Sequence, residues 1–344
     1  MEQQEYYSRW MARTFQPSQS NDPETCRRKV EFTENSRSAP SNSDTHLQVN
    51  RTNYNNVSTT VLVNGKRVKI HGLCTGTVAV KTTFRTKKGY GGLAKFNMLV
   101  DRQFTGYLPI WVWVIEHPDG LIVIDTGEVT AIKNIDRYLA NENIYNRVLF
   151  RKLTKFNITQ QEELDYQFDR INLKLDDVRL VALTHLHLDH TDGLRFFPKS
   201  EIIVGDFEYR HPSTNMPSTY PEWFNPNRVK YQNNQIDVFE RAHLISKDLY
   251  YVPTPGHTPG HSSIIFKTDE FDILFAGDAS YNQEQVLRGE LAGVNADYRK
   301  SRETYKSLLA YTAAHKTIYL PSHDGDASLR LKERIFFSTT NRLK

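Results

Sequence analysis

Four side chains that can bind a metal ion lie within the seven residues from Thr184 to His190, which have the sequence THLHLDH. Alternate residues of a strand point the same way, so His185 and His187 could offer two imidazoles to one ion. Asp189 and His190 come where the chain should bend, and they could face a second ion. A solvated, histidine-rich loop is the alternative interpretation, because short motifs also arise by chance.

Three further candidate ligands follow, each at the end of an apolar run. His257 comes after a Pro-Gly turn in VPTPGHTPGH, Asp278 follows ILFAG, and His323 follows YLPS. Imidazoles with carboxylates suit zinc and similar first-row ions, and two ions ~3.5–4 Å apart can share a water whose pKa falls from ~15.7 towards ~7. These residues therefore predict a hydrolytic centre in which water is the nucleophile. The sequence contains no serine elbow of the GxSxG type to compete with it.

Short apolar runs separated by turn residues must position these side chains. VLVNGKRVKIHGL predicts two strands around Asn64-Gly65, and YLPIWVWVIEHPDGLIVIDTG predicts two more around Pro118-Asp119-Gly120. Residues 178–183 predict a buried strand just before the motif. Residues 201–204 and the runs LYYVP, SSIIFKT, DILFAG and TIYLP predict further strands.

Helices are predicted between these strands. The sequence predicts helices within residues 129–176 and a longer helix over Tyr298–Ala314. Residues 206–250 are irregular and aromatic, which suits a segment that forms a pocket. Strands, then helices, then both again, without a glycine-rich nucleotide fingerprint, favour an α/β (α+β) protein in which helices cover the sheets.

Composition divides the 344 residues into two parts. Residues 1–60 are rich in Ser, Asn, Thr, Gln and Pro, and they predict a disordered arm before a single domain over residues 61–344. The net charge of +4 is too small for a nucleic-acid-binding protein. Two cysteines, no apolar signal segment and no membrane span predict a soluble cytoplasmic protein.

The motif and the three later residues resemble metallo-β-lactamase-fold hydrolases, from about residue 65 to the C-terminus. The HxHxDH signature is His185-Leu-His187-Leu-Asp189-His190. The resemblance implies a four-layer αββα sandwich with two metal ions at one edge, most simply Zn²⁺. It also implies that one ion is held by His185, His187 and His257, the other by Asp189, His190 and His323, and that Asp278 bridges both.

Within this fold the motifs TPGHTPGH, GDASYNQE and SHDGD resemble the N-acyl homoserine lactonases. A tyrosine three residues after the bridging aspartate lies over the metals in that branch, and Tyr281 matches it. Departures argue against other branches. Asp278 differs from true metallo-β-lactamases, His187 differs from flavodiiron proteins, and the 21 residues after His323 are too few for the helical domain of a glyoxalase II.

The lactonase resemblance implies roles for individual residues. A hydroxide bridging the two metals would open the lactone ring, Tyr281 would hydrogen-bond the substrate, and Asp189 would pass a proton to the ring oxygen. Asp125 would orient a ligand histidine, whereas His261 is predicted to be a hydrogen-bonded core residue. Residues 84–104 and 220–224 are the candidates for contact with an acyl chain.

Two alternatives stay open. The first is a hydrolase of the same fold that acts on a different lactone, an ester, a thioester or a phosphodiester. The second is a metal-bound sensor without catalysis. The expected partner is a small molecule, and the sequence leaves the oligomeric state undecided, with a homodimer among the options.

Overall fold

Two β-sheets dominate the computed structural model, which describes residues 54–232 and 234–338. The strands of the first sheet are β1 (Val57–Val63), β2 (Lys66–Val80), β3 (Leu108–His117), β4 (Gly120–Ile124), β5 (Thr154–Asn157), β6 (Val178–Ala182), β7 (Glu201–Gly205) and β8 (Asn227–Val229). Their order is β1-β2-β3-β4-β6-β7-β8, and β5 pairs with the end of β2. Strands β1 to β4 are antiparallel, whereas β6, β7 and β8 continue in parallel from β4.

The two predicted hairpins are confirmed. Asn64 and Gly65 join β1 to β2 with φ angles of 51° and 73°, as a type I′ turn requires at both positions. Pro118 and Asp119 join β3 to β4. Strand β1 begins at Val57, so the prediction of a disordered arm is wrong for residues 57–60. Residues 1–53 of that predicted arm lie outside the described residues.

The second sheet is mostly antiparallel and carries the strands predicted in the last third of the chain. They are β9 (His243–Ser246), β10 (Leu249–Pro253), β11 (Ser262–Lys267), β12 (Asp272–Gly277) and β13 (Thr317–Pro321). The order is β13-β12-β11-β10-β9, with β12 and β13 parallel. Strands β8 and β9 fall in the segment predicted to be irregular. They escaped prediction because they are short and partly exposed, so neither has a continuous apolar run.

Short helices connect the strands. They are α1 (Thr82–Arg85), α2 (Gly91–Val100), α3 (Ile135–Tyr138), α4 (Ile144–Leu153), α5 (Leu164–Arg170), α6 (Leu188–Thr191), α7 (Asp206–Arg210), α8 (Gln283–Arg288), α9 (Tyr298–Ala314) and α10 (Ala327–Glu333). Helix α9 has the predicted bounds, and the side chain of Asp297 accepts hydrogen bonds from the first backbone N–H groups of the helix. Strand β5 interrupts the stretch predicted to be helical. No helix within the described ranges is both long and apolar enough to cross a membrane.

Three apolar clusters show how the layers stack. One lies between the two sheets and includes Trp111, Trp113 and Phe275, which are almost completely buried. A second packs the outer face of the five-stranded sheet against α8 and α9, and a third packs the outer face of the larger sheet against α5. The result is a four-layer helix–sheet–sheet–helix sandwich, as the resemblance implied. Because the faces of the sheets are buried, polar side chains are carried by the loops at the ends of the strands.

Candidate metal centre

All seven predicted ligands follow the carboxyl end of a strand. Strand β6 leads to His185, His187, Asp189 and His190; β10 leads to His257; β12 leads to Asp278; and β13 leads to His323. These strands run in the same direction within their sheets, so their ends meet at one edge of the sandwich. Strand β6 ends at Ala182, one residue before the end predicted for it, so His185 and His187 lie in the loop that follows and do not share a strand face.

The structure brings the seven side chains into two groups. In the first, ligand atoms of His185, His187, His257 and Asp278 all lie within 4.8 Å of one another. In the second, ligand atoms of Asp189, His190 and His323 satisfy the same limit. The first group is tight, because Nδ1 of His187 lies 3.0 Å from Nε2 of both His185 and His257. Three ring nitrogens converging in this way suit a cation that accepts all three lone pairs.

Asp278 reaches both groups. Its Oδ2 atom lies 3.3 Å from Nε2 of His257 and 3.4 Å from Nε2 of His323, and its Oδ1 atom lies 3.4 Å from Nε2 of His190. Oδ1 of Asp278 and Nε2 of His190 are buried and find no hydrogen-bond partner among the described residues. Buried polar atoms left in this way are costly unless something else satisfies them. The donor set is therefore compatible with a centre that binds two metal ions.

Hydrogen bonds on the far side of the rings fix their orientation. Nδ1 of His185 is 3.0 Å from Oγ1 of Thr184, and Nε2 of His187 is 2.8 Å from Oγ1 of Thr214. Nδ1 of His323 donates to the carbonyl of Pro109 at 2.9 Å. Each ring thereby keeps its other nitrogen for the centre. Outer partners of this kind set the tautomer and direction of metal-binding imidazoles.

The electrostatics of the two groups differ. Burial and the neighbouring histidines hold the pKa of His185 well below its ordinary value, and burial lowers the pKa of His187 and His257 as well. Burial would also lower the pKa of His323, but the carboxylates of Asp278 and Asp189 outweigh it and raise that pKa to about 10. Neutral imidazoles are ready to bind a cation, whereas His323 must first release its proton.

Asp125 contacts His190, as predicted from the sequence. Its Oδ2 atom lies 2.8 Å from Nδ1 of His190, and its Oδ1 atom accepts a hydrogen bond of 2.7 Å from the backbone N–H of Thr184. Both residues are almost fully buried. Asp125 therefore ties the end of β4 to the loop that carries the motif and directs Nε2 of His190 inward.

Changing Asp125 to asparagine should lower metal affinity by roughly 10–100-fold, the usual cost of removing an outer partner of a ligand histidine. The amide cannot accept hydrogen bonds at both of its atoms, so either His190 or Thr184 loses its partner. Metal affinity can be measured by competition with a chromophoric chelator. Asp119→Asn is the matched control, because Asp119 lies beside buried His117 outside the centre. Equal metal loss in both variants would contradict this role.

Glu208, in α7, was missed in the sequence. Its buried carboxylate accepts hydrogen bonds from the backbone N–H of Leu186 at 3.1 Å, from Oγ1 of Thr258 at 2.7 Å and from the backbone N–H of Gly260 at 3.1 Å. It therefore links the loop of His185 and His187 to the loop of His257. Gly260 permits this approach, because a Cβ atom there would lie 2.2 Å from the backbone nitrogen of Glu208. The sequence showed only an acid that follows the predicted strand over residues 201–204, and it did not show that this acid would be buried.

Tyr281 lies beside the second group of ligands. Its ring stacks on the imidazole of His323 with centroids 5.4 Å apart, and its side chain is buried. Burial and the nearby carboxylates of Asp278 and Asp189 raise the pKa of Tyr281 well above its ordinary value, so the hydroxyl keeps its proton. It can therefore act as a hydrogen-bond donor.

His261 is a core residue, and this prediction is confirmed. Its Nδ1 atom is 2.9 Å from Oγ1 of Thr254, and its Nε2 atom accepts a hydrogen bond of 3.0 Å from the backbone N–H of Asp278. Both nitrogens are thus occupied. The ring therefore supports the backbone of Asp278.

The two segments predicted to contact an acyl chain differ in their surroundings. Phe84 packs on an apolar cluster that contains Tyr281, Val78 and Ile110. Tyr220 and Phe224 instead pack against the outer core of the larger sheet, and the Tyr220 hydroxyl donates to the carbonyl of Leu186. Both segments therefore border the candidate site, the first beside Tyr281 and the second at the backbone of Leu186.

Comparisons with known proteins agree with this geometry. The family model described as "Metallo-beta-lactamase superfamily" matches residues 105–323. The N-acyl homoserine lactonase AiiA of Bacillus thuringiensis subsp. kurstaki is 26% identical over 224 residues, which cover 63% of this chain and 82% of that protein. The N-acyl homoserine lactonase AttM of Rhizobium radiobacter is 26% identical over 245 residues, covering 66% and 86%.

Solved structures are similar in fold. An N-acyl homoserine lactone hydrolase with the product N-hexanoyl-L-homoserine at its catalytic metal centre superposes with a TM-score of 0.61 at 22% identity, covering 77% of this chain and 94% of that chain. AidC, a dizinc quorum-quenching lactonase, superposes with a TM-score of 0.54 at 14% identity, covering 79% and 92%. At these identities the likeness concerns the fold alone.

Proposed function

The chain belongs to the metallo-beta-lactamase superfamily, whose model matches more than half of it, and from this premise we propose that it is a dinuclear hydrolase that opens the lactone ring of N-acyl homoserine lactones. The observation that carries the proposal is the position of Asp278 between two groups of ligand atoms, with Tyr281 stacked beside them. The curated relatives named as lactonases supply the substrate class.

The proposed ligand assignment follows the two groups of side chains. His185, His187 and His257 would hold one ion, Asp189, His190 and His323 would hold the other, and Asp278 is near enough to both groups to serve either ion. Zn²⁺ is the proposed metal, because the set is rich in imidazole. When bound, two such ions lower the pKa of water so that hydroxide is available at neutral pH, and they polarise an ester carbonyl. A chain with two cysteines is compatible with a reducing compartment, which supports the cytoplasm as the proposed location.

Two side chains would act on the substrate directly. Tyr281 donates a hydrogen bond to the carbonyl oxygen on which negative charge develops. Burial would raise the pKa of Asp189, but His190 and His323 outweigh it and lower that pKa to about 2, so the carboxylate is ionised. It can accept the proton of the attacking water. It can then pass this proton to the ring oxygen when the bond between that oxygen and the lactone carbonyl carbon breaks. The product is an N-acyl homoserine.

Changing Tyr281 to phenylalanine should lower kcat/KM by about tenfold, the value of one hydrogen bond of ~1.4 kcal/mol. The phenyl ring keeps the stacking on His323, so metal content should stay unchanged. Steady-state kinetics with metal analysis on the same preparation separates the two effects. Tyr305→Phe, which removes a buried hydroxyl bonded to the carbonyl of Glu290, is the control. A variant with full activity would exclude Tyr281 from the reaction.

Incubation of the purified protein with acyl homoserine lactones of several chain lengths tests the proposal. Ring opening releases one acid per lactone, and both pH-stat titration and chromatography of the N-acyl homoserine detect it. A thioester, a phosphodiester and an unrelated γ-lactone serve as competing substrates. Turnover of one of these, without opening of the homoserine lactone, would overturn the proposed substrate. A protein that retains its metal but is inactive on all of these substrates would support the alternative of a metal-bound sensor.

A further inference from the structure

One face of the molecule combines exposed apolar side chains with an excess of positive charge. We define the basic apolar face as residues 81–105, which include α1 and α2, together with residues 144–155, which include α4. On α2 the apolar residues Leu93, Phe96 and Val100 are exposed, whereas Ala94 and Met98 on the opposite side are buried. Their spacing of three and four residues puts the exposed ones in a single stripe.

Helix α4 repeats the pattern. Ile144, Tyr145 and Val148 are exposed, and Tyr145 is 74% accessible. The two helices are joined at the end of β2. The backbone N–H of Lys81 donates to the carbonyl of Leu153, and a depression between them is lined by residues of both: Lys81, Leu99, Val100, Asp101, Arg102 and Lys152. The depression therefore connects the carboxyl ends of α2 and α4, with Val100 and Lys152 in its lining.

The charge of this face sets it apart from the rest of the chain. Its two segments contain ten Lys and Arg residues and one acidic residue, Asp101, which gives +9. The whole chain carries +4, so all remaining residues together carry −5. Lys88, Arg102, Arg151, Lys152 and Lys155 are among the exposed basic residues. Charge of one sign confined to one face marks it for a partner of the opposite sign.

We propose that the basic apolar face docks the protein on an anionic lipid surface. Helices with apolar side chains on one face and flanking Lys and Arg lie in the membrane interface, where the apolar groups enter the acyl boundary and the cations face the head groups. Leu93, Phe96 and Val100 supply the first element, and the exposed basic residues named above supply the second. The inference does not depend on the proposed enzymatic activity.

Other occupants fit this face less well. A symmetric dimer would place the same patch on both partners and bring its exposed cations against one another. Residues 1–53 contain seven basic and seven acidic residues, so they offer no net charge to attract it. The phosphates of a nucleic acid would pair with the cations, but they would leave the exposed aliphatic side chains of Leu93, Val100 and Ile144 in contact with water. An anionic membrane satisfies both the charge and the apolar groups.

Co-sedimentation of the full-length protein with lipid vesicles tests the proposal. Binding is expected with vesicles of roughly one third phosphatidylglycerol in phosphatidylcholine at about 0.1 M salt, and it should weaken severalfold at about 0.5 M salt and with phosphatidylcholine alone. Lys88→Glu with Arg102→Glu should weaken binding roughly tenfold or more. Lys247→Glu with Lys332→Glu makes the same charge change at exposed positions outside the face and should have a much smaller effect.

A second pair of variants tests the apolar contribution. Leu93→Ser with Phe96→Ser should weaken vesicle binding severalfold, whereas Leu244→Ser with Leu329→Ser, exposed elsewhere to a similar degree, should not. Circular dichroism and thermal melting confirm that each variant is folded. Absence of binding to anionic vesicles at about 0.1 M salt, or equal losses in the test and control pairs, would overturn the proposal. So would a dimer that Leu93→Ser with Phe96→Ser dissociates, or tight oligonucleotide binding without vesicle binding.

Discussion

Replacing Asp278 with alanine is expected to lower bound metal from about two ions per chain towards one. The rate of hydrolysis should fall by more than ~100-fold, because even the loss of a residue that only hydrogen-bonds a metal ligand lowers activity by up to ~100-fold. The reason is geometric. The two oxygens of Asp278 lie 3.3–3.4 Å from ring nitrogens in both groups of candidate ligands. Metal content by mass spectrometry and initial rates measure the two effects.

Asp272→Ala is the control for this prediction. Asp272 stands at the other end of β12, is buried, and accepts a hydrogen bond of 2.6 Å from the hydroxyl of Tyr311. Its loss should cost about 1–3 kcal/mol of stability through the unsatisfied hydroxyl and leave metal content unchanged. If Asp278→Ala retained two ions and full rate, the assignment of this carboxylate to a shared position would be wrong.

The candidate ligands could be found in the sequence because each follows an apolar run that predicts a strand. The ends of neighbouring buried strands lie close together. A His or Asp in the loop that follows one strand can therefore lie near the His or Asp that follows another. His257, Asp278 and His323 were found in this way, and the structure brings them together. The local geometry was not predictable from period alone. The shared direction expected for His185 and His187 assumed that the strand continued into the motif, but the chain leaves β6 at Ala182.

Long-range hydrogen bonds explain what the sequence concealed. The shape of the His185–His187 loop depends on Glu208, whose partners Leu186 and Gly260 lie 22 and 52 residues away and use only their backbone N–H groups. Backbone donors carry no mark in the residue types. Glu208 itself was inconspicuous within an aromatic segment, and nothing in its neighbours indicated that it would be buried.

Changing Glu208 to alanine should therefore have two effects at once. It leaves the N–H groups of Leu186 and Gly260 buried without an acceptor, at about 1–3 kcal/mol each, so the free energy of unfolding should fall by about 2–6 kcal/mol. It also releases the loops that carry His185, His187 and His257, and metal affinity should fall by roughly 10–100-fold. Denaturant unfolding of the metal-free protein and chelator competition measure the two quantities separately.

Asp101→Ala separates positioning of the ligands from simple loss of stability. Asp101 also accepts hydrogen bonds from several donors, namely the backbone N–H of Thr83 and Gln103 and the hydroxyls of Thr82 and Thr83. Those donors belong to the segments around α1 and α2, away from the ligand loops. The two variants should therefore be destabilised to a similar extent, while metal affinity falls only in Glu208→Ala. If metal affinity fell equally in both, the loss would follow from reduced stability, and Glu208 would have no specific part in holding the two ligand loops together.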